Sequence, residues 1–187
     1  MSLGYMQMVH TAQAAGPSST AVGPATLLPG AALYTFAPDT FDDLGHMLII
    51  EASGRISNVV TSQPTFKFSV FFGATSIFDT GAILTSTTAH TTVPWYLRIM
   101  LTLRANGATA NFMGQGIVAS RAFIDLGATT DITTSGHPFL LGPEGTPTVG
   151  ANFDSSASQK VDLQYTLSVA TAGNLIQLEQ YSLIDCN

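Results

Sequence analysis

Lys160-Val161-Asp162-Leu163-Gln164-Tyr165-Thr166-Leu167-Ser168-Val169 is the stretch that decides the fold of this chain. Val161, Leu163, Tyr165, Leu167 and Val169 alternate with Lys160, Asp162, Gln164, Thr166 and Ser168. Successive side chains of an extended strand point to opposite faces, so the pattern predicts a strand with one apolar and one polar face.

The same period runs outward from it. Leu48, Ile50, Ala52, Gly54 and Ile56 share one face of residues 47–58. Phe66, Phe68, Val70 and Phe72 oppose Thr65, Lys67 and Ser69, and Leu97, Ile99, Leu101 and Leu103 oppose Tyr96, Arg98, Met100, Thr102 and Arg104. Residues 109–124 read as a further long strand, in which Gly114 and Gly116 leave room for a bulky neighbour or a bend. Residues 174–184 alternate too, but the phase slips near Glu179-Gln180, which predicts a β-bulge.

Turn signals separate these runs: Ser62-Gln63-Pro64, Asp79-Thr80-Gly81, Asn106-Gly107, Gly136-His137-Pro138 and Gly173-Asn174. No stretch holds a 3.6-residue apolar period over the length of a helix. With short segments near 75–79 and 82–87, the reading reaches about eight strands, each apolar on one face, so two antiparallel sheets must pack face to face. The expected fold is all-β, an antiparallel β-sandwich of jelly-roll type with an extended N-terminal arm. An immunoglobulin-like sandwich is the alternative, but its Cys–Trp–Cys pattern is absent.

Charge is scarce. Lys and Arg number six and Asp and Glu twelve in 187 residues, 10% in all, against roughly 25% in ordinary domains. A surface with so few charges favours association, so the chain reads as a building block before it reads as an enzyme. The basic residues Arg55, Lys67, Arg98, Arg104, Arg121 and Lys160 are scattered and the net charge is −6, which argues against nucleic-acid binding. Cys186 stands alone, excluding an internal disulfide and a cysteine-based zinc site, and is expected to be a free thiol in a reducing compartment. No apolar run is long enough for a membrane-spanning helix, and no basic residue precedes Arg55 to support a secretory signal.

Residues 1–38 contain no charged side chain, and Gly16-Pro17-Ser18-Ser19, Gly23-Pro24 and Pro29-Gly30 interrupt regular structure. The segment nevertheless carries Leu3, Tyr5, Met6, Met8, Val9, Leu27 and Leu28, too many large apolar groups for a typical disordered tail. It is expected to be an extended, uncharged arm over 1–30 that docks on a neighbouring subunit, ahead of a sandwich domain over 31–187.

No catalytic or metal site emerges. His10, His46, His90 and His137 show no local ligand spacing, although His46 could meet Asp42 and Asp43 in a loop. There is no Gly-x-Ser-x-Gly elbow, and Gly114-Gln115-Gly116 lacks the context of a phosphate cradle. No cofactor is expected. Trp95 and Tyr96, opening the strand at 96–105, are candidate interface residues, with a carbohydrate platform as the alternative role for Trp95.

Two blocks carry a family resemblance. They are Val93-Pro94-Trp95-Tyr96-Leu97-Arg98-Ile99-Met100-Leu101-Thr102-Leu103-Arg104 and Phe153-Asp154-Ser155-Ser156-Ala157-Ser158-Gln159-Lys160-Val161-Asp162-Leu163, the second continuing to Gln177-Leu178-Glu179-Gln180-Tyr181. With Ala52-Ser53-Gly54-Arg55-Ile56-Ser57 and Met113-Gly114-Gln115-Gly116, the chain resembles tailed-bacteriophage structural proteins over residues 30–187. The resemblance implies a β-rich virion component, assembled in the host cytoplasm, without enzymatic activity. The preferred expectation is a capsid decoration (cement) protein, a homotrimer bound to the major capsid protein or other virion proteins, with neither nucleic acid nor membrane as partner. A minor tail or baseplate protein, and a carbohydrate (receptor)-binding module, are the alternatives.

Overall fold

The computed structural model describes residues 5–20, 22–60, 63–126 and 140–186. Thirteen strands are present among them: Met6–Thr11 (β1), Ala25–Thr26 (β2), Tyr34–Phe36 (β3), Met47–Asn58 (β4), Thr65–Phe72 (β5), Thr75–Asp79 (β6), Ile83–Thr85 (β7), His90–Ala105 (β8), Asn111–Ser120 (β9), Phe123–Leu126 (β10), Leu140–Gly142 (β11), Gln159–Leu167 (β12) and Leu175–Cys186 (β13). The expected count fell short because β2, β3 and β11 span two or three residues, too few to show a period, because β1 lies in the segment read as an arm, and because the strand read over 109–124 is two.

Two antiparallel sheets pack together as a β-sandwich. The first has the order β1-β13-β4-β8-β9-β11. The second runs β10-β7-β5-β12-β2, with β3 also on β12 and β6 also on β5. The pairs β1 with β13, β2 and β3 with β12, β4 with β8, and β5 with β7 lie one inside another along the chain.

The alternating faces form the core. Leu48, Ile50 and Ile56 of β4, Phe66, Phe68, Val70 and Phe72 of β5, Leu97 to Leu103 at every second position of β8, and Val161 to Leu167 likewise on β12 are all buried. The expected bulge on β13 sits between Leu178 and Gln180. Asn106-Gly107 turns the chain between β8 and β9, with Gly107 at φ 76°, a conformation that glycine adopts readily.

Three expectations need correction. The strand read over 109–124 is two, in different sheets. Ser120 Oγ accepts from Ala122 N at 3.1 Å, and this turn sends the chain from β9 across to β10. Val169 lies past the end of β12 and is exposed, because the partner strand β5 begins at Thr65, whose N–H donates to Ser168 Oγ at 2.8 Å. The third concerns the arm. From Met6 opposite Cys186 to Ser19 opposite Ile176, the N-terminal segment runs along β13 of its own sandwich. It then crosses to the second sheet, where Leu27 N donates to Leu163 O at 2.9 Å. Residues 5–30, where described, are therefore stitched onto both sheets.

Glycine placement explains close approaches. A Cβ on Gly114 would stand 2.4 Å from Phe78 Cδ2 and 2.9 Å from Leu101 Cδ2. Gly114→Ala is expected to destabilise the fold by about 1–3 kcal/mol through overpacking. Urea unfolding checks it against Gly30→Ala, where a Cβ meets nothing within 4 Å.

Candidate functional site

The outward positions of the first sheet align in register. Met8, Ile184, Ile49 and Met100 stand opposite one another across β1, β13, β4 and β8. Met6, Cys186, Met47, Thr102 and Met113 form the row beside it. Large apolar groups thus occupy a face that a free sandwich would give to polar ones. Met6 is 72% exposed, Met8 58% and Met100 44%, whereas Ile49 beneath them is only 6% exposed yet lies outside the sandwich core. The stripe continues into a groove of about 280 Å³ beside Met100, lined by Gln115, Ile117 and Leu141.

The next two rows are polar on β13, β4 and β8, the first of them continuing to Ile117 and Leu141 on β9 and β11. Ser182, Glu51 and Arg98 lie opposite one another, as do Gln180, Ser53 and Tyr96. Glu51 pairs with Arg98 at 3.2 Å, and Arg55 with Glu179 at 3.2 Å. Ser53 Oγ donates to Gln180 Oε1 at 3.2 Å. Glu51, Ala52, Ser53, Tyr96, Gln180, Tyr181 and Ser182 line a depression of about 280 Å³. Burial, and then the Glu51 carboxylate, push the Tyr96 phenol above its ordinary value against the opposing pull of Arg98. Tyr96 therefore stays protonated at neutral pH.

The outer face of the second sheet is different. Lys67 reaches Asp79 at 3.8 Å, and Asp162 accepts from Thr26 Oγ1 at 2.5 Å and from Gln164 Nε2 at 2.8 Å. Those charged groups are partnered within the chain.

The candidate residues separate clearly. Tyr5, Met6 and Met8 are exposed, and Tyr96 is 39% exposed on the sheet face. Val9 is half-buried at a bulge in β1 and packs on the chain's own core. Leu27 and Leu28 are fully buried in that core, so they offer no surface to another subunit and the expectation for them is corrected. Trp95 is corrected as well: it is 1% exposed and points into the sandwich, opposite to Tyr96. Its ring centroid lies 5.2 Å from that of Phe68, and its Nε1 donates to Gln177 O at 3.2 Å. Leu3 and His137 lie outside the described residues.

Alternation alone missed Ile49, Ile184, Ile117 and Leu141. The signal for the first two was present: each interrupts a polar phase, opposite Leu48 and Ile50 in one strand and beside Leu183 in the other.

The ring of His46 does not meet Asp42 or Asp43. Its Nε2 pairs instead with Asp185 Oδ1, where both residues are buried, and its edge faces the Phe41 ring at 5.0 Å. Among the described residues no group of three or more His, Cys, Asp or Glu is placed to hold a metal ion. Searches against family models, curated proteins and solved structures find no match for this chain.

Proposed function

We propose that this chain is a non-enzymatic structural protein of a bacteriophage particle, a capsid decoration (cement) protein that binds the assembled head as a homotrimer. The observation that carries the reading is the gathering of large exposed apolar residues on one sheet face of a chain with few charges. A contiguous apolar patch of this kind marks a surface that a protein partner covers. The resemblance to tailed-phage structural proteins supplies the particle. Its first block forms β8, at the centre of that face, and the Gln177–Tyr181 segment lies in β13 two strands away.

We also read the sandwich as a jelly roll. The four nested pairs support this, since a jelly roll is a long antiparallel hairpin wound into two sheets. The hairpin formed by β9 with β8, and the short β10 and β11, are additions to that plan.

The test is binding to purified mature capsids that lack this protein. The full chain is expected to bind saturably, and Tyr5→Glu to bind at least about tenfold more weakly, because the charge must be desolvated at an apolar contact. Absence of binding by the unmodified chain would overturn the capsid reading and favour the tail.

The carbohydrate-binding reading has its own observation. Tyr96, Glu51, Ser53, Gln180 and Ser182 surround one depression, and an aromatic ring beside a carboxylate, an amide and hydroxyls suits a sugar. Titration with a panel of monosaccharides, followed by NMR of the sheet-face residues, distinguishes the two. Shifts confined to this depression, abolished in Tyr96→Ala, would favour the sugar.

A further inference from the structure

We infer that the apolar stripe of the first sheet is covered by a second copy of this chain. This assignment rests on the homo-oligomer of the proposed function, but not on the phage capsid. Three observations carry it.

The first is charge. The chain carries −6, so two copies repel one another over most of their surface. The outward charges of β4, β8 and β13 are Glu51, Arg98, Arg55, Glu179 and, at the rim, Arg104. The first four pair off as Glu51–Arg98 and Arg55–Glu179. This face therefore has no net negative charge, and it is the part of the surface where a second −6 chain meets least repulsion.

The second is area. The sheet has six strands, of which β4 and β13 are twelve residues long. At a strand spacing of about 4.8 Å and a rise of about 3.4 Å per residue it spans roughly 24 by 40 Å. A standard stable interface takes about 800 Å² from each partner, which this face can supply.

The third is composition. The stripe is rich in Met, with Met6, Met8, Met47, Met100 and Met113 in two adjacent rows. Unbranched thioether side chains repack readily against the surface of a neighbouring copy. The stripe is framed on one side by the paired charges and by Tyr96, which gives the apolar centre and polar rim of a protein interface.

Cys186 lies in the second row, half-buried, and reports on the face without disturbing it. Burial, and then Asp185, push its thiol above the ordinary value. Its alkylation is accordingly slow in the single chain and slower still beneath a partner.

Analytical ultracentrifugation of the full chain, with Met100→Glu, Ile117→Glu and Thr35→Glu, decides the matter. Thr35 is exposed on β3, in the other sheet, and serves as the control. The unmodified chain is expected to sediment as a multiple of 19.6 kDa. Each stripe variant should raise the dissociation constant at least about 30-fold, and Thr35→Glu should leave it unchanged. Maleimide labelling of Cys186 should be slower in the unmodified chain than in either stripe variant, with circular dichroism confirming that all are folded. A monomeric unmodified chain overturns the inference. So does an oligomer that both stripe variants leave intact. Capsid binding is scored separately: an oligomer that ignores capsids sinks the cement reading and leaves this one standing, whereas a monomer that binds capsids sinks this inference and the trimer but leaves capsid binding standing.

Discussion

Replacing Trp95 with alanine is expected to lower the unfolding free energy by about 3–5 kcal/mol, as removal of a buried aromatic ring does elsewhere. Trp95 is 1% exposed, and its ring fills the space between the two sheets beside Phe68. Gly54 makes the fit possible. A Cβ there would stand 2.0 Å from Gln177 O and 2.9 Å from Trp95 Nε1, so only glycine lets the indole reach that carbonyl. Tyr96→Ala, one residue along and on the opposite face, is expected to change stability by less than about 1 kcal/mol. Urea unfolding monitored by circular dichroism reads both variants. The contrast separates two roles for adjacent aromatics. Were Trp95 an interface residue, its alanine variant would fold with full stability and lose assembly instead, and the placement of its ring in the core would be wrong.

The sequence shows Trp95 and Tyr96 at the head of a strand but not which way either points. Alternation fixes the relative facing of neighbours, and Leu97 to Leu103 then place Trp95 inward by parity. The parity argument was available and outweighs the general tendency of a lone tryptophan to sit at an interface. The strands and the β13 bulge were legible for the same reason: a half-buried sheet writes a period of two into its residues. Phe36, Phe41 and Phe153 were not legible as core. They stand on a three-residue strand or on loops, where no period exists, yet their rings lie 4.8–6.2 Å from each other's or from those of Phe72 and Phe112. Composition pointed to association without saying where. The surface became visible only when register brought Met8, Ile184, Ile49 and Met100 into one row from segments far apart in the chain. The N-terminal segment shows the opposite failure. Its lack of charge suited docking on another subunit equally well as docking on its own sandwich, and Leu27 and Leu28 are spent on the latter.

His46→Ala is expected to destabilise the protein by about 2–5 kcal/mol, because it leaves a buried carboxyl group without its hydrogen-bond partner and opens a cavity beside Phe41. His46 is 3% exposed and Asp185 8%, and the two meet at the end of the sandwich where β13 finishes and the chain enters β4. Burial of an unpartnered carboxyl group is the dominant loss, and it identifies its own remedy. Replacing both residues with leucine removes the charge together with its partner, and leucine suits the surroundings, since the Phe41 ring already lies against the imidazole. The double variant is therefore expected to recover most of the stability lost in His46→Ala, because a buried pair is often no more stabilising than apolar groups of similar volume. Chemical denaturation of the single and double variants closes the comparison. A loss below about 1 kcal/mol in His46→Ala would mean that Asp185 reaches water. A large loss that persists in the double variant would mean instead that the hydrogen-bonded geometry, rather than the unpaired charge, holds this end of the sheet together.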